Sequence, residues 1–519
     1  MTESTVRTSD RSLLDAFISA PADRQVAQFQ RLTETVWRDG QLTDRAPAAV
    51  ADLRAALDQA PAAQRGYLLV LLGLLVEAEY PETGGEVYTA VREGMDRYLD
   101  LARGLTGDEP LTYAVLYLLG HFPADRDRIL AAVTGIRLAP DDRTRLDRCL
   151  RELDYDDPDL GRAWPSPWDW GLTEQEREND RRWIAGLSRE QVTRTWHGDT
   201  RAVYAYMGAK AYWAAQQGTP ASTAVSDTRP AVTPSSPQEL PLQAYAPHLD
   251  ALRCPRCGGG LQPATNQFTC QACGSGYAVS RGLLDLSQRI RPGTARSEDH
   301  EDVTKDVLQN AATISGIGFH YENGIRPAFV RVMGTNWGDA VTLADEDEYL
   351  TAHSGSPDGT VLDLAAGAGR WTSVVAEAVG PQQVLALDLS AEMLLDLRTR
   401  LPQTPAVRAS AMELPFADAS LDGINCWNAL QAMPDPERVI GEIGRCLRPG
   451  RLLTMMTFVW ASDPVYRYFQ RSHHFPAWPD GFPLFELADV QAWLKGAGLA
   501  VRHQATPGTF LFITAERRA

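Results

Sequence analysis

Val361-Leu-Asp-Leu-Ala-Ala-Gly-Ala-Gly-Arg370 decides how the second half of this 519-residue chain folds. A short apolar strand runs into a turn of small residues, and the turn opens the helical stretch Arg370–Val379. Without bulky side chains, such a turn lets a ligand approach the backbone, and the helix N-terminus offers it free N–H groups. The rhythm then repeats. Val384–Leu387, Leu421–Cys426 and Leu452–Phe458 read as buried strands, with helical stretches at Ala391–Leu401 and Pro436–Leu447. Strands alternating with helices predict a parallel, doubly wound α/β sheet. Asp388 closes the second strand, 21 residues after Gly367, where an acid is placed to accept ribose hydroxyls. A dinucleotide site would use the same acid, but Thr372 stands where its third glycine belongs.

Upstream, the spacing Cys254-x2-Cys257-x12-Cys270-x2-Cys273 gathers four of the seven cysteines. Zinc takes four ligands in a tetrahedron, and each CxxC knuckle supplies two from one tight turn. Gly258-Gly-Gly260 and Gly274-Ser-Gly276 give those turns their backbone freedom. Four thiolates leave no open coordination position, so the expected zinc is structural. Clustered cysteines in a long acidic chain indicate a metal site in a reducing compartment, not a disulfide framework.

The residues around these features resemble known families. Leu252-Arg-Cys-Pro-Arg-Cys-Gly-Gly-Gly-Leu261, Phe268-Thr-Cys-Gln-Ala-Cys-Gly-Ser-Gly-Tyr277 and Gly282-Leu-Leu-Asp-Leu286 resemble the zinc ribbon of the tRNA-methyltransferase-activator type. Glu413-Leu-Pro-Phe-Ala-Asp-Ala-Ser-Leu-Asp422, Pro434-Asp-Pro436 and Leu447-Arg-Pro-Gly450 resemble class I S-adenosylmethionine (SAM) methyltransferases, closest to the quinone-biosynthesis subgroup. This second resemblance covers about 315–519 and implies a Rossmann-like domain that binds SAM. It implies that Asp363, Ala365, Gly367 and Gly369 face the methionine part and that Asp388 holds the ribose. By the same resemblance Leu389 packs beside the adenine, Ala411 and Met412 hold its edge, and Asn428 faces the methyl donor. Ala365 stands where many members carry glycine, and Ser410 where many carry aspartate.

Methyl transfer from a sulfonium is an in-line displacement that rests chiefly on positioning. A general base helps when the acceptor is protonated. The candidates are His320 and Tyr321, in the segment Gly318–Val332 that folds over SAM in the family, and His474, in the aromatic-rich stretch Ala461–Pro483. An aromatic lid suits a flat or apolar acceptor.

Residues 11–217 read as helical. Tyr67-Leu-Leu-Val-Leu-Leu-Gly73 and Tyr113-Ala-Val-Leu-Tyr-Leu-Leu-Gly120 look alike with tyrosines 46 apart, a period that HEAT-type helix pairs show. An irregular helical domain is the plainer alternative. Thr219–Pro247 carries six prolines among Ser, Thr and Ala and reads as an extended spacer. The expected organisation is a helical, HEAT-like domain over 1–217, a linker over 218–247, a zinc ribbon over 248–290 and a methyltransferase domain over 300–519.

Composition bounds the function. With 44% apolar and 23% charged residues the chain is an ordinary globular one, and its net charge of −17 weighs against nucleic acid as a partner. The longest apolar run, Tyr67–Val76, is about half a membrane span, and Met1–Asp15 lacks a signal-like pattern, so a cytoplasmic protein is expected. The favoured activity is methyl transfer to a small-molecule acceptor in specialised metabolism. The helical domain would then dock a protein or peptide partner or hold a homodimer together. The alternatives are methylation of a peptide, carrier-bound intermediate or RNA, and a SAM-fold protein that does not methylate.

Overall fold

The structure, a computed structural model, describes residues 3–163, 172–222, 237–287, 317–355, 358–473, 481 and 483–519. His474 and residues 223–236 of the Pro-rich spacer lie outside the described residues. The chain forms two compact units.

The first unit comprises Met1–Arg229, Gly324–Gly338 and Ala461–Phe482. Among its described residues the regular structure is helical apart from a short hairpin of β1 (Trp37–Arg38) and β2 (Gln41–Leu42). The look-alike segments are the helices Ala62–Glu77 and Pro110–Leu119, which pack on each other and on the long helix Arg189–Gln217. Tyr67 to Val76 is buried throughout, as an all-apolar helix requires. Gly73 has no room for a side chain, since a Cβ there would meet the Tyr117 ring. Ser188 caps the long helix in a capping box, and Gly218 in the left-handed conformation ends it.

The other two pieces of this unit come from sequence expected to belong to the methyltransferase domain. They contribute the helices Arg326–Met333 and Pro464–Arg471. Phe469 fills the notch at Gly208 and meets Tyr117 edge-on. The Tyr468 hydroxyl donates to the buried Glu77 at 2.9 Å. Asp463 accepts from Gln30, Tyr212 and Gln216 at 2.7–3.0 Å while capping its own helix. The apolar faces of both helices find their partners among the N-terminal helices, a pairing that local sequence does not encode.

The second unit comprises Pro230–Asn323, Asp339–Trp460 and Pro483–Ala519. Its strands are β3 (Leu261–Ala264), β4 (Gln267–Cys270), β5 (Gly276–Ser280), β6 (Leu283–Asp285), β7 (Val361–Leu364), β8 (Val384–Asp388), β9 (Ala406–Arg408), β10 (Leu421–Trp427), β11 (Leu447–Phe458), β12 (Leu499–Ala505) and β13 (Phe510–Arg517). They form one sheet in the order β12-β13-β11-β10-β7-β8-β9-β6-β5-β4-β3. The centre is parallel and Rossmann-like, as expected, but the sheet as a whole is mixed. β12 and β13 form a hairpin, which forces β13 to lie antiparallel against β11. The cysteine-bearing strands add the other antiparallel edge, where β6 pairs in parallel with β9. Leu252, Phe268 and Tyr277 of the ribbon therefore share one core with Leu385, Leu387 and Val407. Ala386, Leu394 and Ala406 pack on the opposite face.

Candidate functional site

β7 has β8 on one side and β10 on the other, so the turn that follows it lies at the switch point of the sheet, where α/β folds bind ligands. Ala365, Gly367 and Gly369 all take positive φ, at 57°, 54° and 86°. Glycine adopts this freely, whereas Ala365 carries about 1–2 kcal/mol of strain. Among the described residues a Cβ on Gly367 would meet nothing within 4 Å, so these leave open space over the backbone there. At Gly369 it would come within 2.8 Å of Leu397, which explains that glycine by the approach of the helix Ala391–Arg400.

Asp388 ends β8 beside this space. Its Oδ2 accepts the Gly367 N–H at 2.9 Å and its Oδ1 the Ser390 N–H at 2.8 Å. Burial raises its carboxyl pKa, and these N–H groups oppose the shift. Leu389 is 48% exposed, an uncommon posture for a large apolar side chain and suited to the face of a flat ring. The turn, the acid and the exposed leucine provide a backbone cradle, an acceptor pair and an apolar platform, which fit the ribose and adenine of SAM. Ala411 and Met412 are partly buried, and the Ser410 hydroxyl accepts the Met412 N–H at 3.2 Å.

Asp363 lies on β7 ahead of the turn. It is 2% exposed, and its carboxylate accepts from Thr372 at 2.5 Å and Asn425 at 2.6 Å, with burial pushing its pKa up to about 6. It thus braces the turn from below through these two bonds. The missing third glycine is explained as well, because Thr372 supplies one of the two bonds.

The structure brings Asn428 and Tyr321 together, with Asn428 Nδ2 donating to the Tyr321 hydroxyl at 2.6 Å. Asn428 is buried with φ 54°. His320 is buried beside Tyr321, with its ring against Phe319. The segment carrying them begins as the helix Ile317–His320 and continues as one π turn, Tyr321–Ile325. The Gly318 N–H donates to Asp396 at 2.8 Å, and Arg400 clasps Glu322 with bonds of 2.7 and 2.6 Å. A Cβ on Gly318 would collide with Ala368 in the glycine turn, so this backbone lies directly against the cradle. Of the expected bases, His474 lies outside the described residues, while its neighbour His473 is buried in the first unit. Sequence reading gave no bracing role to Thr372 or Asn425, and it missed Gln431, which bonds Asn428, and Thr457, which bonds Gln431. Only the neighbouring position of these residues in the fold marks them.

The Sγ atoms of Cys254, Cys257, Cys270 and Cys273 lie within 4.8 Å of one another. Cys257 and Cys270 are 3.4 Å apart and Cys254 and Cys273 3.8 Å. Bonds of about 2.3 Å to a central zinc require sulfurs about 3.8 Å apart, so the four thiols fit the ion. Among the described residues no helix is long and apolar enough to cross a membrane.

Fold and site together give a Rossmann-like domain joined to a cluster of four cysteines. Residues 361–450 match the family described as "Methyltransferase domain". An uncharacterized chloroplastic methyltransferase of Arabidopsis thaliana is 26% identical over 231 residues, 40% of this chain and 62% of that protein. The demethylmenaquinone methyltransferase of Lysinibacillus sphaericus is 33% identical over 119 residues, 22% of this chain and 51% of that protein. The chain thus spans between half and two thirds of the length of these curated relatives. Among solved structures, the Haloferax volcanii complex of the Trm112 methyltransferase activator with a methyltransferase aligns at 19% identity and TM-score 0.30, covering 34% of this chain and 89% of that one.

Proposed function

We propose that the protein is a SAM-dependent methyltransferase that acts on a small-molecule acceptor in a biosynthetic pathway of the cytoplasm, with a structural zinc in its ribbon. The observation that carries this reading is the space that the described residues leave open over Gly367, beside the Asp388 carboxylate and the exposed Leu389. Gly367, Gly369 and Ala365 would cradle the methionine part, Asp388 the ribose, and Leu389, Ala411 and Met412 the adenine. Asn428 and Tyr321 would face the sulfonium. The acceptor's nucleophilic atom takes the methyl group, the sulfur keeps the electron pair of the broken bond, and the acceptor's proton passes to a base. Tyr321 and His320 are the described candidates for that proton. Relatives named for demethylmenaquinone favour a flat, apolar acceptor.

Calorimetry of the full chain with SAM and with S-adenosylhomocysteine tests the first half, and binding of neither overturns it. Transfer of labelled methyl from SAM to a panel of quinols, phenols, amines and carrier-bound acyl chains tests the second. Label found only on protein, peptide or RNA would replace the small acceptor by a macromolecule.

A further inference from the structure

We infer that Gln431 and Thr457 are positioning residues of the donor site, acting through Asn428 to hold Tyr321 and its segment over the glycine turn. The inference rests on the proposed SAM reading of that crevice. The Thr457 hydroxyl donates to Gln431 Oε1 at 2.9 Å. Gln431 Nε2 then donates to the Asn428 backbone oxygen at 3.0 Å and to its Oδ1 at 3.2 Å. Asn428 Nδ2 in turn donates to Tyr321 at 2.6 Å. Each group gives to the next in one direction, and Thr457, Gln431 and Asn428 are at most 6% exposed.

The direction matters because an amide has one accepting and one donating end. Left alone, the Asn428 side chain turns either end toward Tyr321. Gln431 places a donor against Oδ1 and so fixes the NH2 group outward. Gln431 has the same ambiguity, and the Thr457 hydroxyl on β11 resolves it by donating to Oε1. Gln431 also grips the Asn428 carbonyl, which supports a backbone held at positive φ. The far end of the chain is the segment whose Gly318 lies against Ala368 and whose Glu322 is held by Arg400. Asn428 ties that flap to the end of β10, and the buried relay sets whether the tie is made.

The test uses the full chain and S-adenosylhomocysteine as probe, with affinity and dissociation rate measured for Gln431→Leu, Gln431→His, Thr457→Val, Tyr321→Phe and the Gln431→Leu/Tyr321→Phe double variant. Losing one buried bond in such a chain is expected to weaken binding about tenfold, through faster dissociation. Thr457→Val, nearly isosteric, should lose several-fold and keeps the inference testable if Gln431→Leu does not fold. Gln431→His retains a ring N–H donor and should recover most of the affinity. In the double variant the losses should not add, because both changes cut the same chain. Additive losses, or wild-type dissociation in both Gln431→Leu and Thr457→Val, would overturn the inference. Failure of the wild-type protein to bind the probe would overturn the SAM reading itself.

Discussion

Removing residues 1–245 should cost the remainder its fold and not merely its turnover. The Pro-rich spacer invites the view of the helical region as a separable module, but the structure builds Gly324–Gly338 and Ala461–Phe482 into the same compact unit. A fragment 246–519 would expose Trp337, Val465, Tyr466 and Phe469, all at most 3% exposed in the full chain. At about 1.5–3 kcal/mol for each side chain, the loss is roughly 6–12 kcal/mol. It falls toward the lower end because Trp337 and Tyr466 hold each other through a 2.8 Å bond. Even so it matches the whole stability of an ordinary domain, about 5–15 kcal/mol. The fragment is expected to elute as aggregate on size exclusion and to show no cooperative melt. In the full chain, Phe469→Ala should cost about 3–5 kcal/mol by denaturant titration, since its ring fills the Gly208 notch. A monodisperse fragment that melts cooperatively near the full chain's temperature would refute this reasoning.

Freshly reduced protein should carry one zinc per chain by elemental analysis, and finding none would remove the metal site. Chelation should lower the melting temperature of the second unit as well as loosen the ribbon, because β6 pairs with β9. Asp388→Ala should weaken SAM binding by about 1.5–3 kcal/mol, the worth of hydrogen bonds to a charged group, and unchanged calorimetric affinity would relocate the ribose. Asp363 binds its proton more tightly in the folded state, at about 6 against an ordinary 3.8, so its contribution to stability falls as pH rises from 4 to 6. Asp363→Asn should flatten that dependence and raise stability above pH 6 by up to about 3 kcal/mol, with no gain at pH 4. A gain that does not vary with pH would point to packing and not to the buried charge.

The glycine turn and its flanking elements were legible because they are local. A strand, a small-residue turn and a helix sit within twenty residues around Gly367, and Asp388 follows at a set distance, so periodicity and spacing carry the information. The four cysteines were legible for the same reason, since each knuckle is one turn of backbone. Tertiary structure alone decided that Asp363 braces the turn through Thr372 and Asn425, because a strand residue points up or down according to its neighbours' register. It decided too that β6 joins the ribbon to β9, a pairing of segments 123 residues apart. The helices Arg326–Met333 and Pro464–Arg471 make the point most plainly. Their amphipathic patterns say that one face must be buried, and they are silent about against what, since burial of apolar area is non-directional. Only the shape of the N-terminal helices, with a notch at Gly208 and the buried Glu77 waiting for a hydroxyl, selects the partner.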